Sequence, residues 1–84
     1  MKRIIIETET GFATTRKKLG TRMVNLRFTF NIRDGHWYLT IPGVVAGMRV
    51  VRGVDLYRSD EGYLRAYGDV QSTRLEVRWH DYTS

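Results

Sequence analysis

The residues able to support nucleophilic or acid-base chemistry are few and scattered in this sequence. Nucleophilic catalysis needs a Ser or Cys beside a base that a third group orients. Cysteine is absent, and the serines Ser59, Ser72 and Ser84 fall in a polar turn, a loop and the terminus. His80 precedes Asp81 directly, but adjacent strand residues point to opposite faces. With no P-loop glycine pattern and no Cys/His zinc set, we expect no catalysis, no metal and no cofactor.

Basic residues offer a second kind of chemistry, the binding of an acidic partner. The chain of 84 residues has a formal net charge of +5. Up to Arg33 there are eight basic residues and two acids, whereas the remainder has six arginines and seven acids. The charge is densest in "RKKLGTR", which predicts a hairpin around Gly20. This 16–22 hairpin is interpreted either as a binding surface or as a solvated hairpin tip; its cations are Arg16, Lys17, Lys18 and Arg22.

Exposed aromatic residues would add base-stacking or protein-binding capacity to such a chain. Tyr38 is predicted to point outward from its strand, opposite Asn31. Tyr67 is predicted to share a strand face with Tyr63 and Arg65, an arrangement that suits a stacking surface, a cation–π pair or a protein interface. The alternatives stay open on sequence alone.

The segment "GVVAGMRVVRGV" has more valine and methionine than one short strand of a small domain buries easily. Val50 and Val51 are adjacent, so one of them points away from the core unless the strand is covered on both sides. A subunit contact involving Met48 or Val51 would cover it. The alternative is that this strand is central in a closed barrel and that a loop folded over it covers its outer side.

The elements that must position these residues are strands, because alternation at period two recurs and no window shows helical spacing. In "MVNLRFTFNI" the apolar residues from Val24 to Ile32 are predicted to share the inner face. Asp34-Gly35 predicts a two-residue type I′ turn, which pairs Ile32 with Trp37 and makes Trp37 a core anchor. Further strands are predicted near 48–52, in "YLRAYG" and in "TRLEVRWHDY". About six such strands predict an all-β single domain over 1–84, an antiparallel barrel or sandwich.

The start "MKRIII" carries positive charge and three isoleucines, but its apolar run ends at Glu7. This run is shorter than a secretory or membrane-spanning segment requires. We therefore expect a chain made and used in the cytoplasm, with no membrane partner.

The order of these features resembles the small baseplate plug proteins of contractile-tailed bacteriophages, the cyanophage-type plug family. That family joins a strand ending in an Asn/Asp-Arg-x-Gly-type turn directly to Trp-Tyr-Leu, and a "G-x-x-L-V-x-G-x-D-L"-like segment follows. The resemblance covers roughly residues 12–82. The basic "RKK" run and the short link after Leu39 depart from the family pattern. The matching residues are Asn31, Arg33, Gly35, Trp37, Tyr38 and Leu39, then Gly47, Val50, Val51, Gly53, Asp55 and Leu56.

The resemblance implies a non-enzymatic virion component at the centre of the tail baseplate, assembled in the host cytoplasm and without a small-molecule substrate. It implies contacts with hub and tape measure proteins in a symmetric assembly of several subunits. The expected contact residues are Met48, Val51 and Tyr67, while the cations at 16–18 meet an acidic partner. The alternative hypothesis is a small basic β-barrel that binds nucleic acid through the 16–22 hairpin and exposed tyrosines.

Overall fold

The computed structural model describes residues 2–19, 22–59, 62–70 and 72–80. In these ranges the chain forms eight strands and no helix, and they form two four-stranded antiparallel sheets. Sheet A has the order β1 (Lys2–Glu7), β8 (Arg74–His80), β7 (Gly62–Tyr67), β6 (Asp55–Ser59). Sheet B has the order β2 (Phe12–Leu19), β3 (Arg22–Asn31), β4 (His36–Ile41), β5 (Val45–Arg49).

The all-β antiparallel prediction is confirmed, and the architecture is a sandwich rather than a closed barrel. The predicted number of about six strands was too low. The chain start, interpreted only as an apolar run, forms edge strand β1 beside β8. A further short strand, β6, precedes β7, and its Ser59 pairs with Gly62. Within the described ranges, no helix is long and apolar enough to cross a membrane.

The core lies between the two sheets and is built by alternate residues of their strands. In β4, β7 and β8 every second side chain is buried, as expected for strands with one solvated face. The two tryptophans, Trp37 and Trp79, are 0% and 1% exposed. The indole Nε1–H of Trp37 donates to the carbonyl oxygen of Ser72 at 2.6 Å. Because Ser72 lies just before β8, this hydrogen bond ties sheet B to sheet A.

The hairpin of β3 and β4 has a longer connection than the sequence predicted. Phe30 pairs with Trp37 and Phe28 with Leu39, a register two residues away from the predicted one. A type I′ turn needs positive φ at both central residues, but the described residues include no non-glycine residue with positive φ. The connection therefore spans 32–35. Because the shift is even, every paired residue keeps its predicted face.

Ile32 is the exception among the residues predicted to face inward. It lies in the connection rather than in the ladder, and it is 86% exposed. Short polar side chains shape the connection: the Asn31 side-chain oxygen accepts from the Arg33 N–H at 2.9 Å. Asp34 Oδ1 likewise accepts from the His36 N–H at 3.0 Å. These local hydrogen bonds favour a turn over continued strand pairing.

The fifth strand begins earlier than predicted, at Val45 instead of residue 48. The strand is irregular, because its register against β4 shifts between Leu39 and Ile41. The prediction that one of two adjacent valines points outward is confirmed: Val50 is 1% exposed and Val51 is 46% exposed. Val50 still donates its N–H to the Trp37 carbonyl at 2.8 Å, which holds it in the core.

Candidate partner-binding surfaces

The two sheets differ sharply in the charge of their strands. The strands of sheet B contain six Lys or Arg residues and no Asp or Glu. Those of sheet A contain six basic residues and three acids. Sheet B is therefore the basic half of the sandwich, and its charge has no acidic counterpart along its strands.

The outer face of sheet B follows from its register. Leu26 and Phe28 point into the core, so the neighbouring Asn25 and Arg27 point outward, together with their partners Arg16 and Thr14. On the far side, Tyr38 pairs with Arg49. We call the outward cations and the polar residues between them the cationic face. Its cations are Arg16, Lys18, Arg27 and Arg49, all of them exposed.

The cations of the predicted 16–22 hairpin do not form one surface. Arg16 and Lys18 lie on the cationic face, whereas Lys17 pairs with Val24 on the opposite face of the sheet and is half-buried. This separation follows from the alternation of a strand, because neighbouring side chains leave it in opposite directions. Arg22 begins β3 opposite Leu19, and its side chain is outside the described set, as are residues 20–21.

Tyr38 lies on the cationic face as predicted, but opposite Thr29 rather than Asn31. Its hydroxyl donates a hydrogen bond to Asp34 Oδ2. This hydrogen bond lowers the pKa of Asp34 below its ordinary value, with further lowering from the His36 N–H and from the charges of His36 and Arg49. The same contact raises the pKa of Tyr38. The phenol is therefore held in place rather than free to reorient toward a ligand.

Replacing Tyr38 with phenylalanine should raise the pKa of Asp34 toward that of an ordinary aspartate, since the largest lowering contribution disappears. A depressed carboxyl pKa contributes stability above the unfolded-state pKa, and this contribution is lost as the pH falls through the folded-state pKa. The stability difference between wild type and Tyr38→Phe should accordingly shrink on acidification. The measurement is an NMR titration of the Asp34 carboxyl carbon, with Tyr57→Phe as control. An unchanged Asp34 pKa in Tyr38→Phe would contradict this hydrogen bond.

A cleft of about 500 Å³ opens at the end of the cationic face, where the start of β4 and the end of β5 meet the segment 68–70. Arg49 Nη2 lies 2.9 Å from Nε2 of His36. These two side chains and Arg52 give the cleft basic groups, and Val51 and Val70 give it apolar ones. Asp69 also lines it. The cleft thus suits a carboxylate carried on an apolar segment.

Met48 and Tyr67, two other predicted contact residues, lie away from the cationic face. Met48 pairs with Leu39 and packs, partly buried, against the core. Tyr67 lies on the outer face of sheet A, where the Arg78 guanidinium is 4.4 Å from its ring centroid. Val51 alone of these apolar candidates lies at the cleft.

The predicted grouping of Tyr63, Arg65 and Tyr67 on one face is confirmed, and it is an organised layer. Tyr63 stacks on His80 with ring centroids 4.8 Å apart and planes 11° apart. The Arg65 guanidinium lies 5.3 Å from the Tyr63 centroid and forms an ion pair with Asp55 at 2.8 Å. Asp55 is the main reason why the pKa of Arg65 is raised. These internal pairings favour a structural role for this face.

The sequence interpretation missed Arg27, Arg49 and Arg52 as candidate binding residues. The alternation of the segment 23–32 predicts an outward Arg27, but its importance for binding depends on the strands that flank it. The signal that could have found the cationic face is compositional: the segments 12–19, 22–31, 36–41 and 45–49 contain no acid. Only the strand order shows that these four segments form one sheet.

Clusters of metal-ligating side chains were sought in the part of the chain that the structure describes. There, no group of three or more His, Cys, Asp or Glu side chains is placed to hold a metal ion. Comparisons with protein-family models, with curated proteins and with solved structures found no match. The cationic face and its cleft, which suit an acidic partner, are the surfaces that bear on function.

Proposed function

We propose that this chain is a non-enzymatic structural protein of a contractile phage tail, a central baseplate plug that contacts hub and tape measure proteins. The observation that carries the proposal is the cationic face. Four exposed cations occupy one face of a sheet whose strands hold no acid. A surface of this kind attracts an acidic protein surface and orients it during association.

The residues that carry the resemblance to the plug family support the proposal through their structural roles. Trp37 and Leu39 are fully buried, and Gly35 gives the β3–β4 connection its positive φ of 72°. In the second motif, Val50 and Leu56 are buried. These five motif residues thus belong to the frame of the sandwich, whereas Arg16 and Lys18, from the basic run that departs from the family pattern, lie on its surface.

The cleft and the cationic face form one continuous docking surface in this proposal, because Arg49 belongs to both. An acidic segment of the partner lies across the sheet, and a carboxylate enters the cleft beside His36 and Arg52. The exposed Val51 contacts an apolar residue of the same segment. Interfaces of this type combine charged contacts that set orientation with a smaller apolar centre.

Reversing the charge at the middle of the cationic face tests this surface. We expect Arg27→Glu to weaken binding to hub or tape measure proteins by roughly tenfold or more, because a like charge is placed against an acidic partner. Arg74→Glu is the matched control, since it reverses an exposed cation on sheet A. Binding is measured by co-purification and by calorimetry with co-expressed tail proteins of the same genome.

Mass spectrometry of purified tail particles supplies the second arm of the test. The proposal requires the chain in those particles at a fixed ratio to the hub protein. Absence from assembled tails, together with no association to hub or tape measure proteins, would overturn it.

A second candidate function, binding of nucleic acid, is favoured by one specific observation. Phe12 lies at the edge of the cationic face, opposite Thr29, and is 52% exposed. An exposed aromatic beside several cations is the usual arrangement for stacking a base and neutralising phosphates. Fluorescence anisotropy with single- and double-stranded oligonucleotides tests it. Tight binding that falls steeply with added salt, without association to tail proteins, would favour this function over the first.

A further inference from the structure

Among the described strands, edge strand β1 has a neighbour on one side only, β8, and its pairing with β8 is regular. We propose that β1 pairs with β1 of a second copy of this chain, antiparallel and centred on Ile5, so that the two copies of sheet A form one continuous sheet. This inference is independent of the proposed function, because it involves the opposite sheet and not the cationic face.

The four edge strands of the sandwich differ in how well they are protected against pairing. Natural edges are blunted by bulges, by short length or by cations. The edge strands β5 and β6 have five residues each and a register irregularity, while β2 carries three consecutive cations at 16–18. Strand β1 has six residues and an uninterrupted register against β8, and its cations, Lys2 and Arg3, are confined to its first two positions. Its three consecutive isoleucines, 4–6, make it the edge that most favours a further strand.

The direction of the backbone groups limits the registers that β1 can adopt with a second copy. Just past the strand, the Thr8 N–H donates to the Thr73 carbonyl at 3.3 Å, so Thr8 faces the β8 side. Backbone groups alternate along a strand, so those of Arg3, Ile5 and Glu7 face the open edge. An odd-numbered residue must therefore lie opposite another odd-numbered residue if these groups are to pair.

The register centred on Ile5 also satisfies the side chains. Ile5, which is 44% exposed on the outer face, then lies against Ile5 of the second copy. Arg3 forms a long, exposed ion pair with Glu76 of its own chain at 3.9 Å, and in this register it also lies opposite Glu7 of the second copy. This opposite-charge pair occurs twice because of the two-fold symmetry. A register with Arg3 opposite Ile5 leaves the cation against an apolar side chain. A register with Ile5 opposite Glu7 leaves the carboxylate against an apolar side chain.

Charge reversal and charge exchange test the register on the full chain by sedimentation equilibrium over a concentration series. Glu7→Arg and Arg3→Glu should each weaken dimerisation by about tenfold, since two attractive pairs become repulsive. The double variant, Arg3→Glu with Glu7→Arg, should restore dimerisation. Glu9→Arg, which makes the same charge change outside the strand, should have no effect. Circular dichroism on each variant separates loss of pairing from loss of fold.

The absence of cysteine allows a second, independent test. Directly opposed residues in a hydrogen-bonded pair have Cα atoms about 5.5 Å apart, a distance that a disulfide spans. Ile5→Cys should therefore form a disulfide-linked dimer under mild oxidation. Ile32→Cys, more exposed at 86%, should do so far less. A wild-type chain that stays monomeric over the whole series, or a dimer unaffected by the single charge reversals, would overturn the proposal.

Discussion

Replacing Trp37 with alanine is expected to lower the free energy of unfolding by about 3–5 kcal/mol, the usual cost of truncating a buried aromatic residue. Trp37 is 0% exposed, and its ring centroid lies 5.5 Å from that of Phe30. Truncation would leave a cavity between the sheets and remove the hydrogen bond to the Ser72 carbonyl. Because a domain of this size has little stability in reserve, we expect most molecules of this variant to be unfolded at 37 °C.

Trp37→Phe separates the two contributions. It retains much of the apolar volume but removes the indole N–H, so the Ser72 carbonyl loses its donor. The expected cost is about 1–3 kcal/mol, smaller than that of alanine. Urea unfolding followed by circular dichroism measures both variants without relying on tryptophan fluorescence.

Ile32→Ala is the control that also checks the observed register. The predicted register puts Ile32 opposite Trp37 in the core, which would make its truncation costly. The observed connection leaves Ile32 exposed, so its truncation should change stability by no more than about 0.5 kcal/mol. A loss comparable with that of a core truncation would support the two-residue turn and contradict the observed hairpin.

The faces of the β3–β4 hairpin could be predicted from the sequence, but its register could not. Alternation at period two determines which side chains share a face, and any even shift preserves that pattern. The choice between a two-residue and a four-residue connection depends on backbone hydrogen bonds to Asn31 and Asp34. Sequence alone does not decide between these bonds and the type I′ turn that an Asp-Gly pair also favours.

The candidate site was predictable in composition but not in geometry. The basic run at 16–18 is evident in the sequence, yet a run of neighbours divides between both faces of a strand. The cationic face instead combines Arg16 with Arg27 and Arg49, which come from three different strands. Their proximity depends on the order of the strands in sheet B, and this order is a property of the whole fold.

Replacing Gly62 with alanine is expected to lower the free energy of unfolding by about 3 kcal/mol, a large effect for one added methyl group. A Cβ at Gly62 would meet the ring of Trp79 and would lie 2.5 Å from the carbonyl oxygen of His80. Trp79 is 1% exposed and the carbonyl is part of β8. Neither neighbour can move aside without disturbing the β7–β8 pairing.

Gly47→Ala is the matched control for Gly62→Ala, because a Cβ there meets nothing within 4 Å although φ is +62°. It should cost only the left-handed backbone penalty of about 1–2 kcal/mol. Because Gly62 also has a positive φ, of +157°, both variants carry a backbone penalty. The difference between their urea midpoints, multiplied by a common m value, then reports chiefly the clash at Gly62. If both alanine variants were equally stable, the Trp79 ring could not lie against Gly62. The close approach of β7 and β8 at this end of sheet A would then be wrong, and with it the placement of Tyr63 on His80.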